Sequence, residues 1–164
     1  MTTRALLVSS TSLRAGRVGA LYDLVATVGF VTPWTAALIF DLLRSVHATW
    51  DLPGEVLPPF DGPHMMFVNL FGAAVVMWSL ARVARPVPWT VAIDTVGRLV
   101  FSAVFISVLS QGHSAVIVPF LALELAFLVW QALSLRVARA AEGSSVRLPH
   151  EPRPHDGRGV VVGR

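Results

Sequence analysis

The stretch from Trp89 to Gln111 reads WTVAIDTVGRLVFSAVFISVLSQ, an apolar run that only Asp94 and Arg98 interrupt. About 20 apolar residues are enough for a helix to cross the ~30 Å hydrocarbon core of a membrane. A charge facing lipid costs about 2.5–3.5 kcal/mol on insertion scales. Because residues four apart share one face of a helix, Asp94 and Arg98 are predicted to neutralise each other and to point into a helical bundle.

The composition of the whole chain agrees with a membrane protein of one domain. Of 164 residues, 54% are hydrophobic and 14% are charged, and the mean hydropathy is +0.66, which lies outside the range of ordinary soluble domains. The sequence has no cysteine, which excludes disulfides, thiol redox chemistry and cysteine-ligated metal sites. All thirteen basic residues are arginine, which excludes a lysine Schiff base. The arginines form no basic groove, so we expect no nucleic-acid partner.

The sequence predicts an all-α fold, an integral membrane four-helix bundle with helices over residues 18–43, 63–84, 89–111 and 114–135. Pro33 is expected to kink the first helix, and Pro63 marks the start of the second. Residues 1–17 are predicted to form a cytosolic N-terminal arm, and residues 137–164 a disordered cytosolic tail. The loop over residues 44–62 is rich in proline and apolar residues, which favours a folded cap on the outer face.

Arginine placement predicts the orientation. Nearly all arginines lie in the N-terminal arm, in the connection that contains Arg82 and Arg85, and in the tail after Arg136, whereas the loop over residues 44–62 has only Arg44. Positive charge is retained on the cytoplasmic side. We therefore expect a protein of the plasma (inner) membrane with both termini in the cytoplasm.

Two halves of the chain share a pattern. Asp23, Thr27 and Phe30 have the same spacing as Asp94, Arg98 and Phe101, and Arg-Val-Ala-Arg occurs at both 82–85 and 136–139. This indicates two helical hairpins in a parallel 2+2 repeat, with coincidence in a sequence of low diversity as the alternative.

The ionisable residues inside the predicted helices are the candidate catalytic set. Asp23, Asp94, Arg98 and Glu124 come to similar depths when residues are counted from the inner boundary. One arginine cannot keep three carboxylates ionised in a low dielectric, so at least one acid is expected to hold a proton. A protonated carboxyl group is a competent proton donor to a lipophilic substrate. The alternative is an ion-pair staple that only holds the helices together.

Aromatic and polar residues near these faces are the candidate substrate-binding set, because aromatic rings stabilise a developing positive charge. This set comprises Tyr22, Phe30, Trp34, His64, Asn69, Trp78, Phe101 and Phe105. Asn69 with Gly72 also fits a purely packing role between helices. A metal site formed by the histidines at 47, 64 and 113 is an alternative without a short-spaced ligand motif, so we predict neither a metal nor a cofactor.

Several motifs together resemble a family of small bacterial four-helix membrane proteins that are similar in architecture to DoxX-like proteins. They are Tyr22-Asp23, Phe30-x-Thr32-Pro33-Trp34, Pro58-Pro59-Phe60-x-x-Pro63-His64-x-x-Phe67-x-Asn69-Leu70-x-Gly72 and Asp94-x-x-x-Arg98-x-x-Phe101-Ser102. The resemblance covers about residues 20–135 and implies a shared site at Tyr22, Asp23, His64, Asn69, Asp94, Arg98 and Glu124. The chain is similar to small membrane-embedded terpene cyclases in size, helical character and buried acids only.

These observations favour an integral membrane enzyme that acts on a lipophilic substrate by acid–base chemistry, most concretely an isoprenoid (terpene) cyclase or isomerase. Asp94 or Asp23 is the expected acid, Glu124 a second acid or base, and Arg98 the group that holds a neighbouring carboxylate ionised. A small proton-coupled transporter and a non-catalytic membrane partner or assembly subunit are the alternatives. The expected partners are the lipid bilayer and a lipophilic small molecule, and a homo-oligomer remains an open alternative.

Overall fold

Proline and capping residues set the helix boundaries of the computed structural model, which describes residues 3–145, with side chains described over residues 11–140. The described residues form five α-helices: α1 (Thr3–Thr27), α2 (Pro33–Thr49), α3 (Gly62–Ala84), α4 (Pro88–Ser110) and α5 (Val118–Ser145). Short 3-10 turns lie at Val28–Phe30 and Ala115–Ile117. Over this part of the chain the fold is all-α, and the only β contact is an isolated bridge between Glu55 and His113.

The starts of α3 and α4 follow from local chemistry. The Asp61 carboxylate accepts a hydrogen bond from the backbone amide of His64 at 3.1 Å, and Pro63 occupies the first turn of α3. That hydrogen bond lowers the pKa of Asp61 below its ordinary value, because it stabilises the ionised form. At the start of α4, Thr90 donates its hydroxyl to the carbonyl of Val87 at 2.8 Å. Both helices agree within one residue with the predicted boundaries.

The single predicted helix over residues 18–43 is wrong, because the chain breaks there into α1 and α2. Pro33 has no amide hydrogen, and its ring clashes with the carbonyl four residues earlier, which prevents one continuous helix. The Thr32 side chain instead accepts from the amide of Thr35 at 3.3 Å and caps a new helix. The two helices are bent by 100°, which is far more than the predicted kink.

Two predicted terminal segments also need correction. The described part of the predicted arm is the first half of α1, where Ser12 and Ala15 are buried and Gly16 lies against Val91. At the other end, α5 continues to Ser145, so residues 137–145 of the predicted disordered tail are helical. The rest of that tail, residues 146–164, lies outside the described residues.

Three helical stretches are long and apolar enough to cross a membrane: Gly62–Ala84, Pro88–Ser110 and Ala115–Ala140. The bent pair of residues 11–30 and 33–49 would make a fourth if it counts as one span. The distribution of polarity supports this. Among residues 11–140 only five hydrophobic side chains are buried, all of them alanine or valine, whereas twelve polar or charged residues are buried and many large apolar side chains are exposed. A water-soluble domain has the opposite distribution, so the surface is compatible with insertion into lipid.

The helix packing leaves an opening between α3 and α4. α1 packs along both α3 and α5, and α4 packs along α5, but few contacts join α3 directly to α4 although they are consecutive in the chain. The rings of Phe71 and Phe101 meet edge to face at 6.0 Å between centroids and bridge the opening partway along its length. At one end of the opening lie the buried charged residues Asp23, Arg82 and Asp94.

The loop between α2 and α3 is packed against the ends of the helices. Phe60 stacks on Phe40 with ring centroids 4.4 Å apart, and the Arg44 guanidinium donates to the carbonyl of Pro58 at 3.3 Å. The amide of Glu55 donates to the carbonyl of Gly112 at 2.8 Å. The first two contacts join the loop to α2, and the bond between Glu55 and Gly112 joins it to the turn between α4 and α5.

Candidate functional site

Five charged side chains from four helices meet in one cluster, which we call the ion cluster: Asp23, Arg82, Asp94, Arg98 and Glu124. Arg98, which is 2% exposed, lies 2.9 Å from a carboxylate oxygen of Asp23 and 2.9 Å from one of Glu124. Its Nε lies 3.4 Å from Asp94. The structure therefore brings together the four residues that the sequence singled out as candidate catalytic groups.

Arg82 is the member that the sequence analysis missed. It is 3% exposed and contacts carboxylate oxygens of both Asp23 and Asp94 at 2.5 Å. The sequence assigned it to a cytoplasmic connection because it lies in a short, arginine-rich segment. A usable signal was its position four residues after Trp78, on the same face of α3, and its guanidinium indeed lies over the Trp78 ring, 5.7 Å from the centroid.

Small and amide-bearing residues hold the ion cluster in place. The Gln131 amide, which is fully buried, donates to Asp94 at 2.7 Å. The carbonyl of Gly19 accepts from Arg98 at 3.3 Å. A Cβ atom on Gly19 would lie 2.7 Å from the Gln131 amide nitrogen and 3.0 Å from Arg98. Glycine therefore lets α1 lie close to the charged groups, and a larger residue would have to displace the ends of the Gln131 and Arg98 side chains.

The three carboxylates are not equivalent. Asp23 and Asp94 each contact both arginines, whereas Glu124 contacts only Arg98. Three carboxylates and two guanidiniums leave one excess negative charge when all five groups are ionised. In a low-dielectric interior such a charge is costly, so uptake of one proton, or of another cation, is favoured.

A cavity of about 220 Å³ lies beside the ion cluster in the opening between α3 and α4. Asp23, Arg82 and Asp94 lie along one side of it but expose little polar surface to the cavity. The other sides are apolar and aromatic, formed by Ala74, Val75, Trp78, Ile93, Gly97 and Phe101. A Cβ atom on Gly97 would meet nothing within 4 Å, so this glycine leaves space open in the wall. The arrangement suits an apolar molecule that lies beside the ion cluster.

Of the predicted substrate-binding residues, only Trp78 and Phe101 line this cavity. Tyr22 lies on the other side of Arg98, stacked on Phe127 at 4.9 Å, and both rings face the guanidinium of Arg98. The remaining predicted residues, Phe30, Trp34, His64, Asn69 and Phe105, are not among the cavity residues.

The contacts or exposure of four of these five residues account for their positions away from the cavity. The four are Phe30, Trp34, His64 and Asn69. Asn69 donates to the carbonyl of Phe30 at 2.8 Å, where the break between α1 and α2 frees that carbonyl. Trp34 is 78% exposed on α2. His64 pairs with the exposed Asp61 at the start of α3. The packing interpretation of Asn69 therefore accounts for its contacts, and no contact places the other residues at the cavity.

The histidines at 47, 64 and 113 do not come together in one site. His47 shares a buried hydrogen bond of 2.6 Å with Ser114, and His113 lies 3.8 Å from Glu55. Within the described part of the chain, no group of three or more histidine, aspartate or glutamate side chains has a geometry suited to a metal ion.

Comparison of the chain with known protein families, curated proteins and solved structures finds no match.

Proposed function

We propose that the chain is a four-span protein of the plasma membrane with both termini in the cytoplasm, in which α1 and α2 form the first, broken span. Arginines near both termini and at Arg85 support this orientation, since positive charge is retained on the cytoplasmic side. Arg82 does not support this orientation, because its guanidinium is buried in the ion cluster and pairs with Asp23. The similar placement of Asp23 and Asp94 around Arg82 supports a 2+2 parallel repeat of helical hairpins.

The protein is an enzyme that acts on a lipophilic substrate by acid–base chemistry, and an isoprenoid double-bond isomerase or cyclase is the concrete form. The observation that carries this proposal is the cavity between α3 and α4, where two carboxylates face apolar and aromatic walls. A substrate dissolved in the membrane would enter through the opening between these helices. Ionisable residues within membrane spans are expensive, and they commonly mark functional sites.

Asp94 is the proton donor in this proposal. The excess negative charge of the ion cluster favours one bound proton, which Glu124 holds more readily at rest because it contacts only one guanidinium. The reaction begins when the proton is on Asp94, the acid that faces the cavity. Its neighbour Gln131 suits both states of the acid, because an amide donates to a carboxylate and, after rotation, accepts from a carboxylic acid. Glu124 does not line the cavity, and it serves as the second acid that shares the excess charge through Arg98.

The reaction is redox-neutral. The proton of Asp94 is added to one carbon of a substrate double bond, and the resulting carbocation lies near the rings of Trp78 and Phe101, which stabilise positive charge. Asp23 removes a proton from an adjacent carbon, which forms the shifted double bond or ends a ring closure. Arg82 contacts both carboxylates, so the negative charge moves between two groups that it already neutralises. Return of the proton from Asp23 to Asp94 completes the cycle.

The test uses the purified full chain in lipid nanodiscs, with farnesol and longer polyprenyl substrates and with product analysis by gas chromatography and mass spectrometry. We expect product from wild type, and a loss of about 100-fold or more in Asp94→Asn, since general acid catalysis contributes about 10²–10⁴-fold. Asp41→Asn is the matched control, because Asp41 forms an exposed pair with Arg44. Product formation by Asp94→Asn at the wild-type rate would contradict the proposal.

If Asp94→Asn does not fold, Gly97→Leu provides a second test. The added side chain would occupy the cavity without meeting another atom at its Cβ position. We expect this variant to be monodisperse and inactive. A monodisperse Gly97→Leu protein with wild-type activity would exclude the cavity as the reaction site.

A proton-coupled transporter is the second candidate, and the excess negative charge favours it specifically. Either a proton or a lipophilic cation would neutralise the ion cluster, which is the basis of an exchange mechanism. Uptake of tetraphenylphosphonium into proteoliposomes with an imposed pH gradient distinguishes the two functions. Gradient-dependent uptake that Asp94→Asn abolishes would favour the transporter, and uptake equal to that of empty liposomes would reject it.

A further inference from the structure

Exposed arginines collect at one end of the helical bundle, on α1, at the end of α3 and on α5. They are Arg14, Arg17, Arg85, Arg136 and Arg139. Among the side chains that the structure describes, exposed carboxylates occur only within residues 41–61, towards the other end of the bundle. The arginine-bearing end is therefore strongly positive, and positive charge at a membrane surface attracts anionic lipid headgroups.

Arg85 differs from the other four arginines because it lies where the opening between α3 and α4 ends. Its amide still donates to the carbonyl of Ala81 at 2.9 Å, and α4 begins three residues later, at Pro88. Arg85 follows the cavity residues Trp78 and Arg82 by seven and three positions. It therefore lies on the same face of α3, about 4.5 Å further along the helix axis than Arg82. Within the described part of the chain, Arg85 forms no ion pair.

A tryptophan indicates the depth of this end in the membrane. Trp89, in the first turn of α4, is 61% exposed, and exposed tryptophans are typical of the level of the lipid headgroups. Ile93, one turn further along α4, lines the cavity. The cavity therefore lies deeper than Arg85 and Trp89, within the hydrocarbon of the membrane.

The cavity itself suits a hydrocarbon chain. Almost all of the surface that it exposes is apolar, and the charged groups along one side pair with one another in the ion cluster. Pockets that enclose a drug-sized ligand usually measure about 300–1,000 Å³, and this cavity measures about 220 Å³. It therefore accommodates part of one chain, while the rest of the molecule lies in the opening.

From these observations we infer that the opening between α3 and α4 is a docking site for an anionic phospholipid. Its headgroup pairs with Arg85, and part of one acyl chain fills the apolar cavity. The inference rests on the proposed position in the membrane, but it goes beyond the proposed reaction and does not require it. A substrate of that reaction would have to displace this chain.

Quenching of Trp78 by brominated lipids tests the site directly, because Trp78 lines the cavity and bromine on an acyl chain quenches a tryptophan that it touches. The full chain is prepared with its other tryptophans replaced by phenylalanine, and all of these are exposed: Trp34, Trp50, Trp89 and Trp130. It is titrated in detergent micelles with phosphatidylglycerol or phosphatidylcholine that carry the same brominated chains. We expect half-maximal quenching at about fivefold less phosphatidylglycerol, the factor for one arginine near an anionic headgroup.

Arg85→Gln removes the charge at the end of the opening, and it should reduce the preference for phosphatidylglycerol to about twofold or less. Arg139→Gln is the matched control, because Arg139 is exposed at the same end of the bundle but lies on α5, which does not line the cavity. It should keep the original preference. An equal reduction in both variants would assign the preference to the general positive charge of this end and would overturn the inference. Equal quenching by the two lipids in the protein that retains both arginines would also overturn it.

Gly97→Leu tests the position of the acyl chain. The added side chain would occupy the cavity without meeting another atom at its Cβ position, so most of the quenching of Trp78 should be lost. As a control, a protein that retains only Trp34, which is 78% exposed on α2, should be quenched equally with and without Gly97→Leu. Unchanged quenching of Trp78 in Gly97→Leu would place the chain outside the cavity and contradict the inference.

Failure of this inference is distinguishable from failure of the proposed reaction. If phosphatidylglycerol is preferred at Trp78 but no product forms from any substrate, the lipid site stands and the enzymatic proposal fails. If product forms while Trp78 shows no preference between the two lipids, the enzymatic proposal stands and the lipid site is rejected.

Discussion

Removal of Arg98 should be the most destabilising single change in the ion cluster. In Arg98→Gln, the ion pairs with Asp23 and Glu124 at 2.9 Å and with Asp94 at 3.4 Å are lost together. Only Arg82 then remains to balance three carboxylates, so the excess charge rises from one to two. Removing one partner of a buried ion pair costs about 3–5 kcal/mol, because the other charge remains buried without compensation.

This loss of stability corresponds to a measurable decrease in the thermal unfolding midpoint. For a protein of about 150–250 residues, 1 kcal/mol corresponds to about 2–4 °C in the unfolding midpoint, so Arg98→Gln should lower the midpoint by about 6–20 °C. The assay heats aliquots of purified protein in detergent and measures the remaining monodisperse fraction by size-exclusion chromatography with tryptophan fluorescence. The control is Arg44→Gln, where the exposed pair with Asp41 is worth about 0–1 kcal/mol.

A second substitution tests whether charge excess is the cause. Glu124→Gln alone removes the excess charge and should lower the midpoint by no more than about 4 °C. In the double variant with Arg98→Gln, the excess returns to one negative charge, and about 0.5–3 kcal/mol of the loss should be recovered as coupling between neighbouring groups. The reasoning is refuted if Arg98→Gln is as stable as Arg44→Gln, or if the double variant is no more stable than Arg98→Gln.

Three further predictions concern packing and capping. Gly19→Ala should destabilise the protein by about 1–3 kcal/mol through overpacking. Gly97→Ala has open space at its Cβ position and should stabilise the protein by about 0.5–1 kcal/mol. Equal unfolding midpoints for the two variants would contradict this. Asn69→Leu should cost about 1–3 kcal/mol, since the carbonyl of Phe30 loses its donor, and faster amide hydrogen exchange at the start of α2 is the local measurement. Asp61→Ala should lower the unfolding midpoint at neutral pH. Its difference from wild type should vanish as the pH falls through the lowered pKa of Asp61, because protonation removes the same contribution from wild type. A difference in midpoint that persists in acid would contradict the capping role.

The sequence predicted that Asp23, Asp94, Arg98 and Glu124 meet, because charged side chains inside apolar helices face the interior of a bundle and pair with one another. The four-residue spacing of Asp94 and Arg98 defined one face, and the rise per residue placed the other acids at a similar depth. These constraints are local to each helix and follow from the membrane. The same logic failed for Arg82, since an arginine two residues before a helix end is as readily cytoplasmic as buried.

Longer-range features were not accessible from local patterns. Next to the 100° bend between α1 and α2, Gly72 of α3 approaches the backbone of Phe30 so closely that a Cβ atom would lie 2.8 Å from it, and local patterns do not predict such a contact. The helical character of residues 11–17 had a signal that the prediction did not use. Ser12, Ala15, Gly16 and Gly19 form a stripe of small residues, which commonly marks close helix packing in membranes.

The choice between a structural staple and a working site depends on features that a staple does not need. A staple is most stable when its charges balance, but this ion cluster contains one more carboxylate than it has guanidiniums. A staple also gains stability from close packing, yet Gly97 leaves the adjoining wall open, and Arg82 Nε has no acceptor among the described residues. Each of these features lowers stability in the protein alone, so a purely structural role does not account for them. Replacing the members of a purely structural cluster with well-packed apolar residues is often neutral or stabilising, whereas a working site would lose its function by the same change.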